Sequence, residues 1–163
     1  MTEAFESAHV RLFLADYAVA DAGGKITMVG GGITITGINP QTRMTAPFTV
    51  VAVVSFGPKH IGESPAVELS LETEGGELVM LPGQAAPLRF GASEKLNPPV
   101  LQGINVPNNA VRPKTQLLMQ FQNGLPLHPG MGYRWRVRVD QDTRPEWTEP
   151  MYVAVASPGP VVG

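Results

Sequence analysis

The stretch "GYRWRVRVD", residues 132–140, decides the fold. Aromatic residues and valines alternate in it with Arg134, Arg136 and Arg138. Alternation with a period of two predicts a β-strand that has one buried face and one solvated face. The aromatic and valine side chains suit a hydrophobic core, so this strand predicts a β protein. The contacts of the three cations on the other face have two possible interpretations.

In the first interpretation, the three arginines are paired within the fold. Residues two apart on a strand lie about 6.7 Å from each other, and cations at that spacing repel by about 0.6 kcal/mol per adjacent pair in water. Glu68 and Glu72 lie on one face of another predicted strand, "AVELSLETEGG". If the two strands are neighbours, cross-strand ion pairs would offset the repulsion.

In the second interpretation, the arginines contact an external partner. The planar guanidinium group binds carboxylates and phosphates through two parallel hydrogen bonds. Proteins that bind single-stranded nucleic acid interleave exposed aromatic residues with cations, whereas Tyr133 and Trp135 point away from the arginines. We therefore do not expect nucleic acid as the partner, and a protein that carries carboxylates is the better candidate.

Length and composition predict one globular domain over residues 1–163. A chain of 163 residues is long enough to bury roughly 70% of its unfolded surface. Charged residues are 16% of the chain and apolar residues 43%, which argues against disorder and indicates that a partner covers some of the surface. The net charge of −2 provides no general attraction to nucleic acid or to an anionic membrane.

No motif for catalysis, a metal or a cofactor stands out. The absence of cysteine excludes thiolate nucleophiles and Cys-ligated metal sites, and the three histidines lack metal-ligand spacing. The "GGK" at 23–25 is followed by a predicted strand rather than the helix that a phosphate loop requires. We therefore expect a non-enzymatic protein without cofactor or metal. The N-terminus lacks a secretory pattern, and no apolar run is long enough to span a membrane.

Proline and glycine predict the architecture. The chain has 16 prolines, 12 of them after residue 80, and 18 glycines; this distribution favours short strands joined by turns over helices. Eight or nine strands with turn signals between them predict an antiparallel β-sandwich of the Greek-key, immunoglobulin-like type. In "LPLHPGMGY" (125–133), Tyr133 follows a Pro-Gly turn and opens a strand. This arrangement is similar to the tyrosine corner of such sandwiches, in which the hydroxyl bonds to upstream backbone.

Two irregular segments are candidates for function. Gly30–Gly32 interrupt a strand and predict a bulge or bend, or a place where a small ligand approaches the backbone. From Pro82 to Pro113 the periodicity is lost, which predicts either short edge strands near 88–90 and 104–106 or an arm that lies on a partner. We expect the tail at 158–163 to be loose. The candidate partner contacts are Arg134, Arg136, Arg138, Pro98, Pro99, Val100 and Leu101.

The opening of the chain carries one resemblance. "LFLADYAVADAGGKITMVGGG", residues 12–32, resembles an uncharacterised family of small all-β proteins from actinobacteria and their phages, which share the pattern "LADYA…D…GK…GGG". The resemblance is concentrated in these 21 residues, and the rest of the chain agrees only in general strand content and in the Pro-Gly-Tyr corner. It implies a β-sandwich and, for phage members, a role in the virion; it supplies no catalytic residue.

These observations favour an accessory virion protein of a phage, either a capsid-decorating protein or a tail component. Its expected partner is a major capsid or tail protein, or further copies of itself in a homo-oligomer, without membrane contact. The alternative is a soluble, cytoplasmic bacterial module that binds a small polar ligand near Gly30–Gly32. A deep pocket would favour the ligand-binding module, whereas a flat surface with protruding segments would favour assembly.

Overall fold

The computed structural model describes residues 1–157, and the predicted tail at 158–163 lies outside the described residues. The described part contains one short helix, one 3-10 turn and nine strands. These are α1 (Glu3–Ser7), β1 (His9–Ala20), β2 (Ile26–Gly31), β3 (Ile35–Thr36), β4 (Phe48–Ser55), the turn at Pro58–His60, β5 (Val67–Thr73), β6 (Arg89–Ala92), β7 (Lys114–Phe121), β8 (Gly132–Val139) and β9 (Thr148–Val153). The predicted all-β class is confirmed.

The strands form two sheets. The first sheet has the order β2-β1-β4-β7, and the second has the order β3-β9-β8-β5-β6. All strand pairs are antiparallel except β3 with β9. Strands β1-β4-β7 and β9-β8-β5 correspond to the A-B-E and G-F-C strands of an immunoglobulin-like sandwich. Along the chain, the strands change sheet after β2, β3, β4, β6 and β7, and β8 lies at the centre of the second sheet.

The quoted strand forms the middle of the core. In β8, the side chains of one face are buried: Tyr133, Trp135, Val137 and Val139. Trp135 lies 5.5 Å from Phe121 of the first sheet between ring centroids, and 6.3 Å from Phe48. Full burial of a large apolar side chain contributes about 1.5–3 kcal/mol. The alternation in "GYRWRVRVD" therefore marks the strand that joins the two sheets.

Tyr133 forms the predicted tyrosine corner. Its side chain is buried, and its hydroxyl accepts a hydrogen bond of 3.0 Å from the backbone N–H of His128. The intervening turn contains Gly130, whose φ of +79° favours glycine. The hydrogen bond fixes the corner at which the chain passes from the first sheet to the second.

The Gly30–Gly32 segment is a bend, as predicted. Gly30 and Gly32 have φ values of +63° and +88°. The carbonyl oxygen of Leu14 accepts hydrogen bonds from the N–H groups of Gly32 and Ile33. A Cβ atom at Gly30 would overlap the carboxylate of Asp16, so this glycine is required for close approach as well as for its backbone conformation.

The hairpin of residues 17–31 belongs to the first sheet and folds back over β7 of the same sheet. Leu117, Met119 and Phe121 of β7 pack against the core, so the alternate glutamines point to the opposite face. Gln120 donates a hydrogen bond of 2.9 Å to the carbonyl of Ala18, and Gln116 donates one of 2.8 Å to Gly24. This cover explains how the central strand β4 is buried on both faces, as its almost continuous apolar sequence predicts.

The segment from Pro82 to Pro113 is more ordered than a free arm. It contains β6, which pairs with β5 and confirms the edge strand predicted near 88–90. The strand predicted at 104–106 is wrong: only an isolated bridge joins Leu101 to Ile104. The alternating pattern there is too short to form a ladder, and a reverse turn closes it instead. The chain is irregular on both sides of β6, and the longer of the two irregular parts includes residues 97–112.

Candidate functional site

The arginine face of β8 is paired within the second sheet. The strand lies antiparallel to β5, with Arg138 opposite Glu68 and Arg134 opposite Glu72. Arg136 Nε donates a hydrogen bond of 2.7 Å to Glu72, and a terminal nitrogen of Arg138 donates one of 2.6 Å to its other oxygen. This arrangement confirms the cross-strand ion pairs expected from the two alternating sequences.

The network extends to both sides of Glu72. Arg138 also donates to the Ser70 hydroxyl at 2.7 Å and lies 3.6 Å from the carboxylate of Glu68, which pairs in turn with Arg89 of β6. Arg134 donates a hydrogen bond of 3.0 Å to the backbone carbonyl of Glu74. Each of the three arginines on β8 thus has a partner within the chain. Whether they also contact another molecule stays a prediction.

Glu72 is the central anion of this network. The residue is only 1% exposed, and burial by itself raises the pKa of its carboxyl. Hydrogen bonds from Arg136 and Arg138, together with the charges of both guanidinium groups, outweigh burial and hold the pKa below its ordinary value. Glu72 is therefore ionised at neutral pH. The side chain neutralises the repulsion between the arginines.

The other predicted contact segment lies in the loop of residues 97–112, here called the projecting loop. Its base is fixed on both sides. Leu96 is buried and exchanges backbone hydrogen bonds with Gly62 and Glu63. Pro113 accepts a hydrogen bond from the N–H of Phe56, and Arg112 donates to the carbonyl of Ser7. The loop therefore starts and ends on the sandwich itself.

Within the projecting loop, a reverse turn presents apolar side chains. The N–H of Ile104 donates to the carbonyl of Leu101 at 3.1 Å, and Gly103 has a φ of +77° at the third turn position, as a type II turn requires. Val100 is 84% exposed, Leu101 57% and Ile104 62%. Pro98 and Pro99 are also exposed. Residues 97–111 include no charged side chain, so this turn offers an apolar and neutral surface.

A groove of about 410 Å³ lies beside α1 and includes His60 and Asp140 in its lining. His60 is buried, and its Nδ1 lies 2.8 Å from a carboxylate oxygen of Glu63. Asp140 accepts hydrogen bonds from the Thr2 hydroxyl and the Ala66 N–H, which tie the N-terminus to the sandwich. The acidic side chains here thus have structural partners.

Within residues 1–157, no group of three His, Cys, Asp or Glu side chains is placed to hold a metal ion. In the same residues, no helix has the length and apolar character needed to cross a membrane. Comparisons of the chain with protein families, with curated proteins and with solved structures found no match. The functional proposal therefore rests on the surfaces described above.

Residue-by-residue reading of the sequence missed part of the apolar surface. It selected Pro98 to Leu101 but not Ile104 and Val111, which are also exposed. The signal that identifies them is the uncharged run of 15 residues from 97 to 111. Such a run outside the core indicates a surface from which charge is excluded, because charged residues are depleted at the centres of protein interfaces.

Proposed function

We propose that this chain is a non-enzymatic accessory virion protein of a phage, a capsid-decorating or tail component that acts by protein–protein contact. The projecting loop docks on a major capsid or tail protein. The observation that carries the proposal is the neutral, apolar turn of this loop, held on a rigid base. The resemblance of residues 12–32 to actinobacterial and phage proteins supports the choice of a virion.

The loop is suited to docking because little order has to be created when it binds. Turns at Leu101–Ile104 and at Pro107–Ala110 are closed by backbone hydrogen bonds of 3.1 and 3.0 Å. Both ends of the loop are anchored on the sandwich. Segments that are already ordered lose less conformational entropy on association. Burial of the exposed side chains of Val100, Leu101 and Ile104 against the partner can then contribute to the binding affinity.

Among the predicted contacts, the loop residues carry more of the proposal than the arginines. Arg136 and Arg138 already neutralise Glu72. A partner carboxylate would have to compete with this buried carboxylate. Arg134, which bonds a backbone carbonyl at 3.0 Å, is the arginine best placed to add a contact at the edge of an interface. In this proposal the apolar loop provides most of the binding affinity, and the arginines add contacts at the edge of the interface.

The alternative, a cytoplasmic module with a ligand near Gly30–Gly32, has less support. The space beside Gly30 is filled by the Asp16 carboxylate, which a Cβ there would overlap. The glycine is thus explained by packing within the protein. A small polar ligand at this bend would have to displace the Asp16 side chain.

The test uses particles purified from the phage or host strain whose genome encodes the chain. Quantitative mass spectrometry is expected to find the chain in fixed stoichiometry with the capsid or tail protein. In the triple variant Val100→Ser, Leu101→Ser, Ile104→Ser, each substitution removes about 1 kcal/mol or more of burial. Binding of this variant to particles that lack the chain should be about 100-fold weaker.

The control is Val155→Ser, which changes a valine outside the loop that is 66% exposed and is expected to bind particles like the unmodified chain. Particles that lack the chain, or equal binding of the triple variant and the unmodified chain, would contradict the proposal. Thermal unfolding of both variants checks that the sandwich is intact.

A further inference from the structure

Strand β2 is an open edge of the first sheet. It pairs with β1 on one side, and within residues 1–157 the sheet order places no strand on its other side. Five of its six residues are exposed, including Val29 at 59%. In an antiparallel ladder, alternate residues direct their N–H and C=O groups away from the neighbouring strand. The outer side of β2 therefore offers backbone donors and acceptors for a further strand.

Apart from the bend at Gly30, this edge lacks the features that protect the other edges of the sandwich. Edge strands are commonly protected by charge, by proline or by short length. Strand β3 has two residues, β6 has four and includes Arg89, and β7 begins with Lys114. Strand β2 has six residues without charge or proline, and the neutral run continues to residue 42.

The exposed face next to this edge is apolar too. Tyr17 lies directly opposite Val29 in the hairpin, and Val19 lies opposite Thr27. The aromatic ring and both valines are exposed to solvent. Residues opposite one another in such a ladder form one contiguous surface. The neutral backbone edge thus borders a neutral, apolar patch.

We infer that β2 pairs with β2 of a second copy of this chain, antiparallel and about a two-fold axis near Met28. In this register, Met28 faces its own counterpart and Thr27 faces Val29, and the regular ladder ends before Gly30, whose φ of +63° bends the strand. The two four-stranded sheets become one continuous sheet, and the patches of both copies meet across the axis. The inference deepens the proposed function by assigning a surface to self-association, but the projecting loop is not part of this surface.

A second copy fits this edge because of its neutrality. A partner strand with charged residues would have to desolvate them against a strand that offers no counter-charge, at a cost in free energy. Strand β2 itself meets the requirement, since no like charges face each other across the axis. Isologous pairing of this kind is the commonest form of oligomer.

The test measures self-association of the full chain by sedimentation equilibrium over roughly 5–500 µM, because an interface of one strand is small and its dimer is in the weak range. The unmodified chain is expected to be a concentration-dependent dimer. Val29→Lys places two ammonium groups beside the axis and should raise the dissociation constant at least about tenfold. The control Val155→Lys adds the same charge elsewhere and should leave it unchanged.

A second measurement tests the register. The chain has no cysteine, so Met28→Cys introduces a single thiol. Residues that face each other in an antiparallel pair lie about 4.5–5.5 Å apart between Cα atoms, within disulfide range. Mild oxidation should cross-link this variant but not Val155→Cys. A monomer at every concentration, a dimer that Val29→Lys leaves unchanged, or a failure of Met28→Cys to cross-link would overturn the inference.

The two proposals fail separately. The triple loop variant should remain dimeric in solution, whereas Val29→Lys should lose dimerisation and keep its apolar loop. Absence of the chain from particles would contradict the virion proposal without affecting the β2 pairing. A monomeric unmodified chain that binds particles would overturn the β2 pairing alone.

Discussion

Replacement of Glu72 by glutamine should destabilise the sandwich strongly. The carboxylate is 1% exposed and accepts charge-assisted hydrogen bonds of 2.7 and 2.6 Å from Arg136 and Arg138. Glutamine keeps one acceptor oxygen, but its amide NH₂ group would then face a guanidinium group, and both arginines would lose their counter-charge. Removal of one partner from a buried ion pair costs about 3–5 kcal/mol. We expect a loss in this range for Glu72→Gln.

The matched control is Glu68→Gln. Glu68 lies on the same face of β5, but its side chain is 24% exposed, and its oxygen lies 3.6 Å from Arg138. Ion pairs with this degree of hydration contribute about 0–1 kcal/mol. Urea unfolding at pH 7 measures both losses. Because a folded domain has a free energy of unfolding of about 5–15 kcal/mol, the reduced stability of Glu72→Gln can still be measured.

The pH dependence provides a second check on the same charge. The pKa of Glu72 is lowered in the folded chain, because the hydrogen bonds and charges of its two arginines outweigh the opposing effect of burial. Its ionised form therefore stabilises the fold above the unfolded pKa of about 4.3, and this contribution is lost as pH falls through the folded pKa. The difference between the unmodified chain and Glu72→Gln should be constant from about pH 7 to 5.5 and should shrink below about pH 4. A loss under about 1 kcal/mol at pH 7, or a difference that acid leaves unchanged, would refute the reasoning.

Three further substitutions test local features by the same unfolding measurement. Tyr133→Phe removes the acceptor for the His128 N–H at 3.0 Å and should cost about 1–2 kcal/mol; an unchanged midpoint would show that the corner hydrogen bond is dispensable. In Gly124→Ala, a φ of +70° is combined with overlap of the new Cβ and the Thr45 carbonyl, so we expect a loss of stability of about 3 kcal/mol or more. In Gly32→Ala the Cβ would enter open space, and the expected loss of stability is about 1–2 kcal/mol. Equal losses for the two alanine variants would contradict the packing argument. Asp140 and Gln141 both have positive φ in the two-residue turn between Val139 and Asp142. Glycine suits the second position of such a turn, so Gln141→Gly should stabilise the chain by about 0.5–1 kcal/mol. A lower unfolding midpoint for this variant would contradict the turn assignment.

Several features were predictable because their cause is local. Alternation in "GYRWRVRVD" determined which side chains of β8 are buried, since a strand has a fixed period of two. The Pro-Gly turn before Tyr133 predicted the corner, and the glycine run predicted the bend at Gly30–Gly32. The ion pairs of Glu68 and Glu72 also followed from pattern, once β5 and β8 were taken as neighbours. In each case the residue types permit few local conformations.

Other features could not be read along the chain because they depend on which elements meet. The bend of β1 carries residues 17–31 over the first sheet, where Gln116 and Gln120 bond to the backbone of the hairpin; nothing in the local pattern of β7 specifies this contact. Likewise, the edge position of β2 follows from the order of the sheet and not from its own sequence, which would also suit a central strand.

The sequence by itself therefore determined the β-sandwich, the buried face of its central strand and the neutrality of residues 97–111. Only the tertiary structure decided that the arginines of β8 enclose Glu72, that the projecting loop is anchored at Leu96 and Pro113, and that β2 is left open. The physical reason is the range of the interactions. Backbone preference and side-chain alternation act within a few residues, whereas hydrogen-bond partners and exposed edges are set by strand pairing between distant parts of the chain.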